Sequence, residues 1–247
     1  MSTYIGWETS VSLLLAYETL AMNHQKTLRI SPNEEGSDEP HAYFKYKNSF
    51  ALLILNASIV EGTMRTILSE RVKADLDAAI ERGIQEGRTE HDAPTRLLAK
   101  FLVDLESSGS WQGLMTSALS YLGEKMDNGV DTEVRDGIEK LFVLRNVLAH
   151  GTALIQPKTK MSDDMKNEYP FSWQSKLHGV AMYLENKFSR GGIFDNLAHP
   201  DCAKHFMEVT KQYFTEIEKK FDPIPGRAAR TFEMIREYSF GYYNWHR

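Results

Sequence analysis

Apolar residues recur at steps of three and four through most of this chain, and alternating apolar and polar runs bounded by turns are hard to find. That periodicity constrains the fold more than any other feature. It lets a helix bury one face and gives a strand no consistent side, so the chain is expected to be all-α. With 247 residues it is long enough for a large helical bundle with a real core. A hydrophobic share of 42% against 26% charged residues argues against a disordered chain. The formal charge of -5 provides no global positive field, so any nucleic-acid contact must be local. Cys202 is the single cysteine and cannot form an internal disulfide.

Turn formers divide the pattern. A first helix is expected from about Glu8 to Leu28, stopping before Ser31-Pro32-Asn33-Glu34-Glu35-Gly36. A long helix from about His41 to Arg82 weakens where Gly83 and Gly87 enter a charged stretch ending at Pro94. Thr95 to Leu105 restarts it, and Ser110 is placed to cap a helix from Trp111 to Met126. Asp131 is placed to cap the next, which ends at His150 beside Gly151. Thr152 to Trp173 is irregular and polar and reads as a loop with a short hairpin. Helices from Ser175 to Phe188 and from Pro200 to Phe221 follow. Residues 1–221 thus read as one helical domain, and 222–247 as a further helix or a tail rich in arginine and aromatics. No uninterrupted apolar run approaches the roughly 18 residues of a membrane-spanning helix. No basic residue precedes Lys26, as a secretory signal would require, so the expectation is a cytoplasmic protein without a membrane partner.

Two charges interrupt apolar series. Glu61 fills the gap in Phe50, Ile54, Ala57, Met64 and Leu68, and Arg145 fills the gap in Val134, Ile138, Leu141 and Leu148. An unpartnered charge in a buried seam is costly, so each is expected to have a partner, the other charge being one candidate, or to line a wet cleft. A Glu61–Arg145 bridge that only fixes helix register is the plain structural reading. Against it stands the company of Arg145. Asn146 and His150 follow within two turns, so groups able to hold or protonate a phosphate gather at one helix end. Asn146 and His150, four apart, share a face. Arg145 and His150, five apart, diverge by about 140° on an ideal helix and converge only through the reach of arginine or a bend at the terminus.

Arg145-Asn146-Val147-Leu148-Ala149-His150-Gly151 resembles the signature of the HEPN superfamily, an arginine, a polar residue, three further residues and a histidine at a helix end in an all-α bundle. Leu141-Phe142-Val143-Leu144, and the segment from Asn56 to Gly62 with Glu61 in the place of an often acidic residue, are similar to it too. The likeness spans Phe44 to Gly151, a HEPN-like core at about 41–151 with additional N- and C-terminal helices, and is weaker in Pro200 to Phe221. It implies metal-independent RNA cleavage without a cofactor, in which the ribose 2'-hydroxyl attacks the adjacent phosphate. His150 would serve as acid or base, since an imidazole with a reference pKa of about 6.5 can do either. Arg145 would clamp the phosphorane oxygens. Asn146 would orient His150 or donate to phosphate, and Glu61 would hold Arg145. The resemblance also implies a homodimer, which would supply a second histidine, and a role as a toxin or antiviral-defence effector with a cognate antitoxin or regulatory protein. One subgroup carries a modified tyrosine two residues beyond the histidine; here that residue is Thr152.

Other signals are weaker. His199, Cys202 and His205 have a zinc-like look, but steps of three rotate around a helix, and a capping histidine with a buried cysteine explains them better. Asp163-Asp164 lacks ligand spacing. The C-terminal aromatics either stack on single-stranded RNA or, as the better reading, pack on the bundle. The competing function is a catalytically silent helical module that binds a partner protein or nucleotide through Arg145 and His150.

Overall fold

The computed structural model describes residues 8–29, 46–107, 109–150 and 172–242. All regular structure among them is helical, as expected from the periodicity. In order the helices are α1 (Thr9–Arg29), α2 (Lys47–Gln85), α3 (Ala93–Ser107), α4 (Trp111–Leu122), α5 (Thr132–Ala149), α6 (Ser172–Phe188), α7 (Gly192–Leu197), α8 (Cys202–Lys220) and α9 (Gly226–Glu237).

Local chemistry sets several of these ends. Asp92 accepts the Thr95 backbone N–H at 3.0 Å at the start of α3, and its hydrogen bonds to Thr95 and then Arg88 hold its carboxyl down to about 2. Ser110 caps α4 by accepting from Gly113 N at 3.0 Å. That helix stops at Leu122, four residues short of the expected Met126. Gly123 adopts φ +75° and returns its N–H to Leu119 O, a left-handed cap that ends the helix before the Asp127-Asn128-Gly129 turn. α2 runs through Gly83, which costs a helix too little to break one so well buried upstream. α6 begins at Ser172, so the loop expected to reach Trp173 ends sooner, and its residues 152–171, with the expected hairpin and Asp163-Asp164, lie outside the described residues.

The chain divides into two compact units, with boundaries inside α1, α2 and α8, between α4 and α5, and after α9. The first comprises Ile59–Val130 and Phe214–Glu237 with α1 up to Ser12. Met64, Ile67, Leu68 and Val72 of α2, Leu114 of α4, Phe214 and Ile217 of α8, and Phe232 and Ile235 of α9 are buried in it. Phe214 meets Phe232 edge-on at 5.0 Å. Lys220 closes the turn after α4, donating to Lys125 O at 3.0 Å and Asn128 O at 3.1 Å.

The second unit comprises Leu13–Ser58, Asp131–Tyr213 and the chain from Tyr238 onward. Its α5 packs on α6, and α6 on α7. The approach to α5 is tight at Gly137, where a β-carbon would lie 2.8 Å from Tyr183 Oη and 2.8 Å from Val209 Cγ1. The C-terminal segment wraps onto α1. Tyr17 Oη lies 2.9 Å from Tyr242 Oη and donates to Ala203 O at 3.2 Å, and Phe240 packs edge-on against the Tyr17 ring. Gly241, at φ +80°, lies where a β-carbon would meet Glu18 O at 3.0 Å, so only glycine fits. Phe232, Phe240 and Tyr242 therefore pack within their units rather than standing ready as stacking platforms; Tyr243, Trp245 and Arg247 lie outside the described residues.

By length and composition α2 is long and apolar enough to cross a membrane, its best window averaging a hydropathy of 1.4, although no uninterrupted apolar run in it is that long. Of that window 61% is buried inside the protein, the pattern of a central helix whose apolar surface is already used.

Candidate functional site

α5 is the best-defined element of the site. Asp131 accepts from Glu133 N at 2.9 Å and Val134 N at 3.3 Å, which satisfies the first-turn donors. At the other end His150 is the C-cap, its backbone N–H directed to Asn146 O and Leu148 O. The helix therefore begins and ends where the sequence places it. Gly137, against Tyr183 and Val209, holds it close to α6 and α8 and so fixes where its last turn projects.

The buried face of α5 is not the one the simple three-and-four series implies. It runs through Val134, Ile138, Leu141 and Phe142 and then turns toward Leu144 and Val147, leaving Leu148 half-buried. An α-helix repeats at 3.6 residues, so a face followed over several turns drifts around the axis. Arg145 consequently sits half-buried at the rim of the packed face, while Asn146 and His150 are exposed. The guanidinium is not a core charge. Its Nη1 donates to Asn146 Oδ1 at 3.1 Å, a contact that turns the carboxamide oxygen toward arginine rather than toward His150. On α5 the geometry brings Arg145 and Asn146 into contact and carries His150 on the same helix end.

Glu61 is described in the first unit, on α2, and is buried at 8% exposure. The expected carboxylate in a core seam is present. Arg65, one turn along the same helix, is one of its partners at 2.8 Å, and Arg65 also donates to Leu105 O at the end of α3. Sequence reading missed Arg65, although a cation four residues after a buried acid is the helical spacing for such a pair.

The His199, Cys202 and His205 series is occupied by other contacts. His199 Nδ1 accepts from Asp201 N at 3.1 Å and its ring stacks on Phe188 at 4.5 Å. Cys202 is fully buried, which pushes its thiol up to about 12. His205 Nε2 shares a 2.7 Å hydrogen bond with Tyr183 Oη. Burial, and then the nearby Lys187, hold the His205 ring below its ordinary pKa.

Comparison of the chain with protein-family models, with curated proteins and with solved structures finds no match.

Proposed function

We propose that this chain is a metal-independent endoribonuclease of HEPN type, acting as a toxin or antiviral-defence effector. The observation that carries the reading is the clustering of Arg145, Asn146 and His150 on the last turns of α5, with arginine bonded to asparagine and both Asn146 and His150 at the surface. A phosphate of an RNA chain approaching that turn would meet a permanently charged guanidinium and an imidazole.

In the proposed reaction a histidine accepts the 2'-hydroxyl proton as the oxygen attacks the adjacent phosphorus. The bond to the 5'-oxygen breaks, and that oxygen leaves as a hydroxyl after taking a proton, so the products carry a 2',3'-cyclic phosphate and a 5'-hydroxyl. Arg145 stabilises the extra negative charge on the phosphorane oxygens, a role for which a planar fork of N–H donors is suited. Asn146, as the acceptor of an Arg145 N–H, positions the guanidinium. Since each chain brings one histidine to the motif, a homodimer would supply base and acid from its two copies of His150.

The proposal is tested by incubating the protein with an RNA, the same RNA bearing one 2'-O-methyl at the cleaved position, and the matching DNA, all in excess EDTA. Cleavage of the first alone, leaving cyclic-phosphate ends, supports it. Equal cutting of the methylated strand, or a strict magnesium requirement, contradicts it, and an intact RNA beside a saturable nucleotide-induced thermal shift would favour the silent binding module. Light scattering tests the dimer, expected at twice the 28.3 kDa of one chain.

A further inference from the structure

The first unit contains a polar cavity of about 190 Å³ walled by the start of α1, the middle of α2 and the first turns of α9. At ~30 Å³ per water it has room for about six solvent molecules, and it is smaller than the ~300 Å³ at which cofactor and drug pockets begin. A nucleotide does not fit; a small metabolite does.

Its charge is unbalanced. Glu8, Glu70 and Glu106 line it together with Arg65 and Arg227. Arg65 is already held by Glu61 at 2.8 Å and Arg227 by Glu70 at 3.0 Å, so both guanidinium charges are offset. Glu8 accepts from Thr231 N at 3.0 Å and Thr231 Oγ1 at 2.9 Å, both neutral donors. Glu106 is exposed at the rim. The carboxylates of Glu8 and Glu106 thus remain as a surplus of negative charge facing the space.

A second observation, independent of charge, points to an occupant. Ser69 lines the cavity at 8% exposure, and its Oγ has no hydrogen-bond partner. Its neighbours on the same helix behave differently, since Thr63 and Thr66 return their hydroxyl protons to Ile59 O and Gly62 O at 2.8 and 2.9 Å. A buried hydroxyl without a partner is costly unless something completes it.

We propose that this cavity binds a small primary-ammonium compound, a short amine with a polar tail. An ammonium offers three N–H donors and no acceptor, which matches carboxylate and hydroxyl acceptors. A divalent metal fits less well, because no three His, Cys, Asp or Glu side chains gather as a ligand set among the described residues. The ammonium lies toward Glu8 and Glu106, and the polar tail reaches Ser69 and Thr66. The site is separate from the α5 motif and does not depend on the ribonuclease reading.

The test is calorimetric titration of the intact protein with ethanolamine and with putrescine, using ethylene glycol, sodium acetate and magnesium chloride as controls at matched ionic strength. Saturable binding of at least one amine and of no control is expected. Glu106→Gln, at an exposed position that leaves the fold intact, should weaken it about tenfold through loss of a charge-assisted contact. Ser69→Ala should weaken binding several-fold while leaving the unliganded protein at least as stable, since it removes an unsatisfied hydroxyl. Failure of both amines to bind, equal binding of glycol or acetate, or wild-type affinity in both variants would overturn the proposal. So would amine-soaked crystals showing only water in the cavity.

Discussion

Glu61 on α2 and Arg145 on α5 each stand in the gap of an apolar three-and-four series, yet the two helices accommodate them differently. The surroundings of Glu61 stay buried, and its charge is met within one turn by Arg65, itself only 17% exposed. Around Arg145 the packed face turns away, leaving the residue half-buried with its guanidinium donating to Asn146. A charge in an apolar stripe therefore has two meanings. Where the helix supplies an opposite charge four residues on, it is part of the packing. Where the next residues are polar and the helix is about to end, it sits at the edge of the packed face.

The largest effect expected from this contrast is on activity without stability. Arg145→Ala and His150→Ala should each reduce RNA cleavage by about two to four orders of magnitude, as removal of a transition-state donor or a general acid–base does. Their urea midpoints should match wild type, because neither side chain lies in the core. Loss of folding in either variant would place Arg145 with Glu61 instead.

Stability without chemistry is the converse. Arg65→Ala removes the cation one turn from the buried Glu61 carboxylate and should cost about 3 kcal/mol in urea unfolding. Adding Glu61→Leu to that variant should recover most of the loss, a coupling that a double-mutant cycle measures directly. Additive losses would show that the pair does not act as a unit. Gly137→Ala falls next, at about 1–3 kcal/mol, because the new methyl meets Tyr183 and Val209 where neither can withdraw freely. Since it shifts α5 as a body, it should also lower cleavage, which Arg65→Ala should not do to the same degree.

Acid sharpens the contrast between the units at a smaller scale. Burial holds His24 below the ordinary imidazole pKa of 6.5, with a hydrogen bond to the Pro200 carbonyl pulling the other way. His205 is shifted in the same direction. Both belong to the second unit. The unfolded chain takes up these protons more readily than the folded one, so their contribution to stability is fully present above the unfolded pKa and lost as pH falls below it. Hydrogen exchange at about pH 7.5 and about pH 5.5 should show α1, α6 and α8 losing protection in acid before α3 and α4. Equal loss in both units would contradict it.

Much of this was legible in the sequence where a residue's own chemistry decides a local outcome. Asp131 and His150 mark the ends of α5 because a carboxylate accepts first-turn N–H groups and a chain approaching Gly151 can leave the helix. The boundary of α4 was less legible: Gly123 resembles any tolerated helical glycine until its left-handed backbone is seen. α7 escaped because six residues hold too few turns for a periodicity. The rim position of Arg145 was hidden for a different reason. Which neighbours cover the last turn of α5 is a tertiary matter, and no three-and-four pattern encodes how the packed face drifts around the axis.

Whether α5 presents a working acid–base and phosphate-binding set is read most directly from the single-turnover cleavage rate of a defined RNA in excess EDTA by wild type and by folded His150→Ala. Wild type should cleave to leave 2',3'-cyclic phosphate ends, and the variant should lose at least about a hundredfold in rate. Cleavage by the folded His150→Ala protein at the wild-type rate would contradict it.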